Sequence, residues 1–319
     1  MIAAPRPPDP TMRERDPLSA LSLVLGSTDA LRNTRALFVL LGTFAAAGLL
    51  VSMAENTLLR EPGWWGSVQA GAALFVAFYG GNAAGILVMD DARGRPVRDV
   101  PEALRASLLS AHRLILALLL LFAAYALVAG VLLGLLWLSR VAVTGAVVGA
   151  ILFGVLVPVG VITVGLSAVS LIAVVVPLAA PAVWSGASVL QVVRRLANLI
   201  RHRLLTVALL MAAVSLLTAG MGAIVTTAVM LGGRVIAELG VAVVGVDVPA
   251  QQLMAGLFGR GLRSLGAAGA STGSTGHAAA ALVGGGVVFA LALVLPGLVY
   301  LRGSCAVYLA LTDEAPPPA

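Results

Sequence analysis

Long apolar runs alternate along the chain with short clusters of charge. Residues 36–54 are apolar between Arg35 and Glu55, 64–89 between Glu61 and Asp90, and 114–138 between Arg113 and Arg140. Two further runs cover 204–231 and 278–301. A helix needs about 20 apolar residues to cross a hydrocarbon core about 30 Å thick. Each run is therefore long enough for one transmembrane helix. The stretch 141–193 carries no charge at all. Wholly helical, it would reach about 80 Å at 1.5 Å per residue, too long for one perpendicular span. Pro158, Pro177 and Pro181 interrupt it. The favoured reading is a single span over 148–176, kinked at Pro158, after which the 177–181 segment turns into a surface helix at 186–203. A tight hairpin of two spans is the alternative.

Shorter segments carry a one-sided helical pattern. Leu18, Leu21, Val24, Leu25 and Leu31 predict an interfacial helix over 18–33. Asp99, Pro101 and Glu102 open a helix whose face is predicted to be Leu104, Leu108, Leu109 and Leu114. In 186–203 the stripe is Val189, Leu190, Val193, Leu196 and Ile200, with Arg194, Arg195, Arg201 and Arg203 opposite it or at its end. Both segments lead directly into a span and look like one repeated unit. A third interfacial helix is predicted over 250–265, and the Gly/Ala/Ser/Thr run 266–276 reads as a flexible loop. Residues 1–17, rich in Pro and charge, and 312–319 read as disordered tails flanking a membrane domain at 18–311. The fold class predicted is all-α, a polytopic six-transmembrane-helix bundle with amphipathic interfacial helices.

Composition agrees with the pattern. Of 319 residues, 60% are hydrophobic and 11% charged, and mean hydropathy is +1.04. A soluble domain carries about 25% charged residues, so a soluble enzyme, a disordered chain and a disulfide scaffold are excluded. No short apolar region with a small-residue cleavage site follows the basic start, so the first span is expected to act as an uncleaved anchor. The single cysteine, Cys305, reads as a small apolar filler.

The net charge is +6, and every one of the 20 basic residues is Arg. These clusters lie between apolar runs, which points to an anionic membrane surface and not to nucleic acid. Six spans put both termini on one side. That side collects fifteen Arg against five on the other, so both termini are expected to be cytoplasmic. Trp64, Trp65, Trp137 and Trp184 fall near span ends, where indole rings sit at headgroup level.

No Asp, Glu, Lys, Arg or His lies inside any predicted span. Ion-coupled transporters usually carry such groups at membrane depth, so that class loses weight. Asn82, within Gly80-Gly81-Asn82-Ala83-Ala84-Gly85, is the strongest polar group in a span. A carboxamide in hydrocarbon needs a partner, and an interhelical hydrogen bond beside a close-packed glycine face is expected. Asp90 and Asp91 lack a third ligand at metal spacing and are read as a solvated cap among arginines. His112 and His202 read as interfacial. No nucleophile elbow, phosphate loop or zinc pattern is found, so no catalytic, cofactor-binding or metal-binding residue is assigned. Arg194, Arg195, Arg201 and Arg203 are the candidate surface for anionic lipid headgroups or for a membrane or cytoplasmic protein partner.

The order of elements resembles a known layout. A Gly-rich span ends in Asp90-Asp91-Ala92-Arg93-Gly94-Arg95-Pro96 and an Ala/Leu/Arg helix follows. A later span ends in Val176-Pro177-Leu178 and leads to an Arg-bearing amphipathic helix. This is similar to six-span bacterial and archaeal proteins that include the membrane domain joined to some glycerophosphodiester phosphodiesterases. The resemblance covers about residues 18–311 and departs from that layout at the long segment 234–277. No phosphodiesterase catalytic domain is present, so that activity does not carry over. What it implies is a six-helix fold in the inner membrane of a bacterium or archaeon. The function expected is a non-enzymatic scaffold or lipid-associated accessory protein. The alternative is a transporter or permease subunit for a neutral or lipid-like solute, using Asn82 and the glycine-rich face.

Overall fold

The computed structural model describes residues 25–60, 63–140, 146–239, 242 and 275–312. The helix expected at 250–265 and the tails at 1–17 and 313–319 lie outside them. Among the described residues seven α-helices follow a short 3₁₀ turn: α1 (Thr34–Arg60), α2 (Trp64–Ala92), α3 (Val100–Arg140), α4 (Ala146–Ser170), α5 (Val176–Trp184), α6 (Val189–Leu239) and α7 (Thr275–Leu311). Among the described residues 94% are helical and none is in a strand. Six stretches of the described residues are long and apolar enough to cross a membrane. The protein is an all-α helical bundle of the multi-pass membrane type.

α4, a π-helical turn at Leu171–Val175 and α5 form one continuous rod over 146–184. The hairpin alternative for 141–193 is thereby excluded. Pro177 and Pro181 do not turn the chain. Pro177 falls in the first turn after the π-helical stretch, where wider backbone spacing accommodates a missing N–H. The turn comes instead at Ser185–Ser188, and the surface helix expected from 186 begins at Val189 as part of α6. α5 explains the length of the uncharged stretch. Its Pro177, Leu178, Ala179, Pro181, Ala182 and Val183 are all buried, against α2, α3, α6 and α7. Apart from Val176, which is exposed, α5 is thus largely a core segment.

Of the interfacial helix expected at 18–33, the described part, Gly26–Arg32, is a 3₁₀ turn with Ser27 and Ala30 fully buried. Thr28 donates to the Leu25 carbonyl (2.9 Å), a local bond that competes with α-helix. Asn33 then caps α1, its Oδ1 accepting from the Ala36 N–H (3.1 Å).

The lead-in turns of α3 pack on a different face from the one most of their leucines mark. On α3 the buried positions are Ala103, Ser107, Ala111 and Leu114, while Leu104, Leu108 and Leu109 are exposed. In lipid a large apolar side chain gains nothing by leaving the tails, so small residues take the helix contacts. On α6 most of the predicted stripe faces the core, with Leu196 buried and Val189, Val193 and Ile200 partly buried against it; Val192 and Leu199 join them, and Leu190 is exposed.

α1 and α2 form an antiparallel hairpin along their lengths, with Gly80 set against the Thr43 side chain. The core gathers toward one end. Leu87, Met89, Leu178, Leu196, Leu298 and Tyr308 are fully buried there. Among the described residues, none after Leu121 on α3 or after Val214 on α6 is buried. A Tyr125 hydroxyl paired with Ser170 (2.6 Å) is the polar tie between α3 and α4.

Candidate functional site: the arginine-lined end of the bundle

The start of α1, the end of α2, the lead-in of α3, the end of α5, the lead-in of α6 and the end of α7 meet at the closed end. Two turns of the same kind shape it. Gly94 has φ 65°, with Arg95 N–H to Asp90 carbonyl and Gly94 N–H to Asp91 carbonyl bonds of 3.0 Å each. Gly186 has φ 93°, with Ala187 to Ala182 and Gly186 to Val183 bonds of 3.4 and 2.9 Å. Each is a Schellman stop, which needs a left-handed residue and therefore favours glycine. After the second, the Ser188 N–H is capped by the Gln191 side chain (2.9 Å), half of a capping box. The repeated unit seen in the sequence thus has a physical counterpart: a glycine-stopped helix followed by a basic lead-in.

The side chains of this end are mostly spoken for. Arg98 grips Asp90 with two bonds, Nε to Oδ2 at 2.7 Å and Nη2 to Oδ1 at 2.8 Å. Asp90 is 5% exposed, which corrects the reading of Asp90 and Asp91 as a solvated cap. A carboxylate this buried is stable only because its bidentate partner reaches it. Arg302 of α7 pairs with Asp91 of α2 at 2.7 Å. Arg93 donates to the Ser185 carbonyl of the turn after α5 (3.2 Å). Arg35 of α1 reaches the Val97 carbonyl (2.6 Å) and the Asp99 carboxylate (3.2 Å). Asn33 Nδ2 donates to the Leu87 carbonyl (3.3 Å). α1, the turn after α5 and α7 are each tied to the end of α2 or to the loop that follows it.

The four candidate arginines divide. Arg195 turns inward and donates to the hydroxyl of buried Tyr308 (2.6 Å); that hydroxyl also lies 3.4 Å from Ser185 Oγ. Arg194, Arg201 and Arg203 are exposed. Arg194 and Arg201, seven residues apart, share one helix face. Arg203 sits where the backbone leaves helical geometry (φ −137°, ψ 22°), so the lead-in meets the span at a kink.

Asn82 lies deeper, buried in α2. Its Oδ1 accepts from the Trp184 indole N–H (3.0 Å) and its Nδ2 donates to the Phe78 carbonyl (2.8 Å). The ring of Trp184 covers Gly85, where a Cβ would overlap it. Trp184 is therefore a packing residue and not a headgroup anchor, whereas Trp64, Trp65 and Trp137 are exposed at helix ends. The Asn82 carboxamide is thus bonded at both ends, and Gly85 beside it is covered.

Two clefts open at this end. One, of about 460 Å³, is lined by Asp90, Arg95, Arg98, Asp99 and Glu102 among others. The other, of about 300 Å³, is lined by Arg195, Asn198, His202, Arg203 and Thr312 with two leucines. Sequence reasoning missed Tyr308, Arg302 and Ser185, whose partners lie more than 90 residues away. The one available signal was the small and polar run Arg302-Gly303-Ser304-Cys305 inside an apolar helix. Among the described residues no group of three His, Cys, Asp or Glu could hold a metal ion. Comparison with family models, with curated proteins and with solved structures finds no match for the chain. The reading of this end therefore rests on its own geometry.

Proposed function

We propose that this chain is a non-enzymatic scaffold or lipid-associated accessory protein of a bacterial or archaeal cytoplasmic membrane. Its arginine-lined end rests on anionic lipid headgroups at the cytoplasmic face. One observation carries the proposal: some arginines of this end are paired with carboxylates while others stand exposed. Arg98, Arg302 and Arg35 each face a carboxylate. Arg194 and Arg201 stand exposed on the lead-in of α6, beside Leu190 and Leu205, which are 62% and 74% exposed. Guanidiniums next to lipid-facing leucines lie at headgroup level, where each basic residue attracts an anionic surface by about 1 kcal/mol. The fifteen-to-five division of arginine supports the cytoplasmic orientation. The non-enzymatic part rests on how polar side chains are used, since Asp90, Asp91 and Tyr308 all hold helices together.

The test is lipid retention. The Arg194→Gln/Arg201→Gln double variant is purified in mild detergent and its bound lipid measured. A several-fold drop in the ratio of anionic to zwitterionic lipid is expected, with the melting temperature unchanged. An unchanged ratio overturns the proposal.

A further inference from the structure

We infer that the cytoplasmic leaflet dips against α3, where phospholipid headgroups bind Arg105, His112 and Arg113 near the level of the bilayer midplane. The inference rests on the headgroup-level placement of the closed end proposed above. It adds a second, deeper lipid surface on another helix.

Contacts among three helices fix the level. α2 has 29 residues, about 44 Å at 1.5 Å per residue. A bilayer with its headgroups is about 40–45 Å thick. α2 therefore reaches from one face to the other, and Tyr79, the sixteenth residue of Trp64–Ala92, stands at its middle. Ser107 of α3 is fully buried, and its Oγ donates to the Tyr79 carbonyl (2.7 Å). Ala103 and Ala111, a turn to either side, are fully buried too, and such small residues let helices approach closely. Gly80, next to Tyr79, is set against the Thr43 side chain of α1. Thr43, Tyr79 and Ser107 thus mark one level, eleven residues of α2 or about 17 Å from Asp90.

Exposed charge lies at that level. Arg105, His112 and Arg113 are all exposed. Along α3, Arg105 is about 3 Å from Ser107 and Arg113 about 9 Å beyond it, and any tilt of α3 brings both closer to the level of Ser107. The sequence puts His112 and Arg113 at the end of a span; packing on α2 carries them to the middle. Arg105, Leu109, His112 and Leu116 follow at steps of four, three and four residues, so they share one face. Leu109 and Leu116 are exposed with them. A guanidinium among lipid tails is costly, and snorkelling, water entry and local thinning relieve the cost. Asp90 is three turns of helix away, farther than an arginine side chain extends, so snorkelling alone does not suffice. Headgroups come down to the charges instead. Their phosphate oxygens match the planar guanidinium fork, and the tails cover the leucines between. At the same level α1 exposes Ala45, Ala46 and Leu49, so the dip is confined to the α3 side.

Depth-resolved quenching tests this on the full chain. With Cys305→Ala as parent, a bimane fluorophore is placed on Leu109→Cys or on Ala45→Cys. Each position lies two residues past the marked level. The protein is reconstituted in phosphatidylglycerol and phosphatidylcholine bilayers. The quenchers are phosphatidylcholines with a nitroxide on the headgroup or at mid-chain. Leu109→Cys is expected to be quenched mainly by the headgroup nitroxide, and Ala45→Cys mainly by the mid-chain one. Adding Arg105→Leu/Arg113→Leu is expected to sink the Leu109→Cys probe by about 15 Å, half the hydrocarbon thickness, and to reverse its preference. Mid-chain quenching of both probes, or no change on removing the two arginines, overturns the inference. Headgroup quenching of both places the closed end outside the bilayer and overturns the headgroup-level reading as well. Quenching of Leu109→Cys by neither nitroxide assigns the face to water or a protein partner and also overturns the inference. Lipid retention that still falls in Arg194→Gln/Arg201→Gln, with both probes quenched at mid-chain, would leave the surface reading standing alone.

Discussion

Arg98→Gln separates a pair that holds the bundle from one that merely decorates it. The Asp90 side chain is 7% exposed and that of Arg98 33%. Breaking a fully buried pair costs about 3–5 kcal/mol, and an exposed pair contributes about 0.2–1 kcal/mol. With one partner buried and the other a third exposed, Arg98→Gln is expected to cost about 2–3 kcal/mol, discounted for screening at the guanidinium. The reverse change is milder. Asp90→Asn leaves Arg98 free to turn toward water, and the loss should be about 1 kcal/mol. The double variant should cost less than the sum by about 1–2 kcal/mol, since the orphaned carboxylate is gone. The Arg35–Asp99 pair, 48% and 77% exposed, is the internal control; its removal should cost under about 1 kcal/mol. Reversible unfolding in bicelles, followed by tryptophan fluorescence, measures all four. The reasoning is refuted if Asp90→Asn costs as much as Arg98→Gln, or if both cost no more than the control.

Gly186→Ala should lose about 1–2 kcal/mol in the same assay, because a Cβ at φ 93° is strained although nothing lies within 4 Å of it. Gly85→Ala should lose about 1–3 kcal/mol by overpacking against Trp184. Thr218→Val should stabilise by about 1 kcal/mol, since Thr218 Oγ1 is buried and has no hydrogen-bond partner among the described residues. For topology, cysteines at Ser188 and Ser139 should label from opposite sides of the membrane, Ser188 from the cytoplasm. Labelling of both from one side would defeat the six-span reading.

The spans were legible because crossing a membrane is a property of a local run of sequence. Helix existence followed from apolar length, and the charged residues at 90–113 and 189–203 marked where the lead-ins begin. Faces were less legible. Soluble-protein logic assigns Leu104, Leu108 and Leu109 to the core, yet Ala103, Ser107 and Ala111 hold it. The rod through Pro158, Pro177 and Pro181 was half legible. Proline marks a lost hydrogen bond, but whether the chain bends or a π-helical turn absorbs the loss depends on what packs around α5. Within the site, the glycine stops at Gly94 and Gly186 could be read from short motifs. That Arg195 faces Tyr308 while Arg194 faces outward follows only from where α7 lies.

The two lead-ins solve one problem of length in different ways. α3 has 41 residues, about 62 Å at 1.5 Å per residue. A bilayer with its headgroups is about 40–45 Å thick. α3 is unbroken, so it must tilt. At about 40°, the upper end of observed tilts, its height falls to about 47 Å. That tilt lays the exposed Leu104, Leu108 and Leu109 into the interfacial zone while Arg105 and Arg113 reach for water. α6 is longer still, at 51 residues, and breaks at Arg203 instead. The break lets its lead-in turn aside, and it is the reason Arg203 lines the cleft beside Thr312. A continuous α6, about 77 Å long at 1.5 Å per residue, would need a steeper tilt than α3 and would carry Arg203 away from Arg195. The break at Arg203 thus both relieves the mismatch between a long helix and a thin bilayer and sets Arg203 beside Thr312.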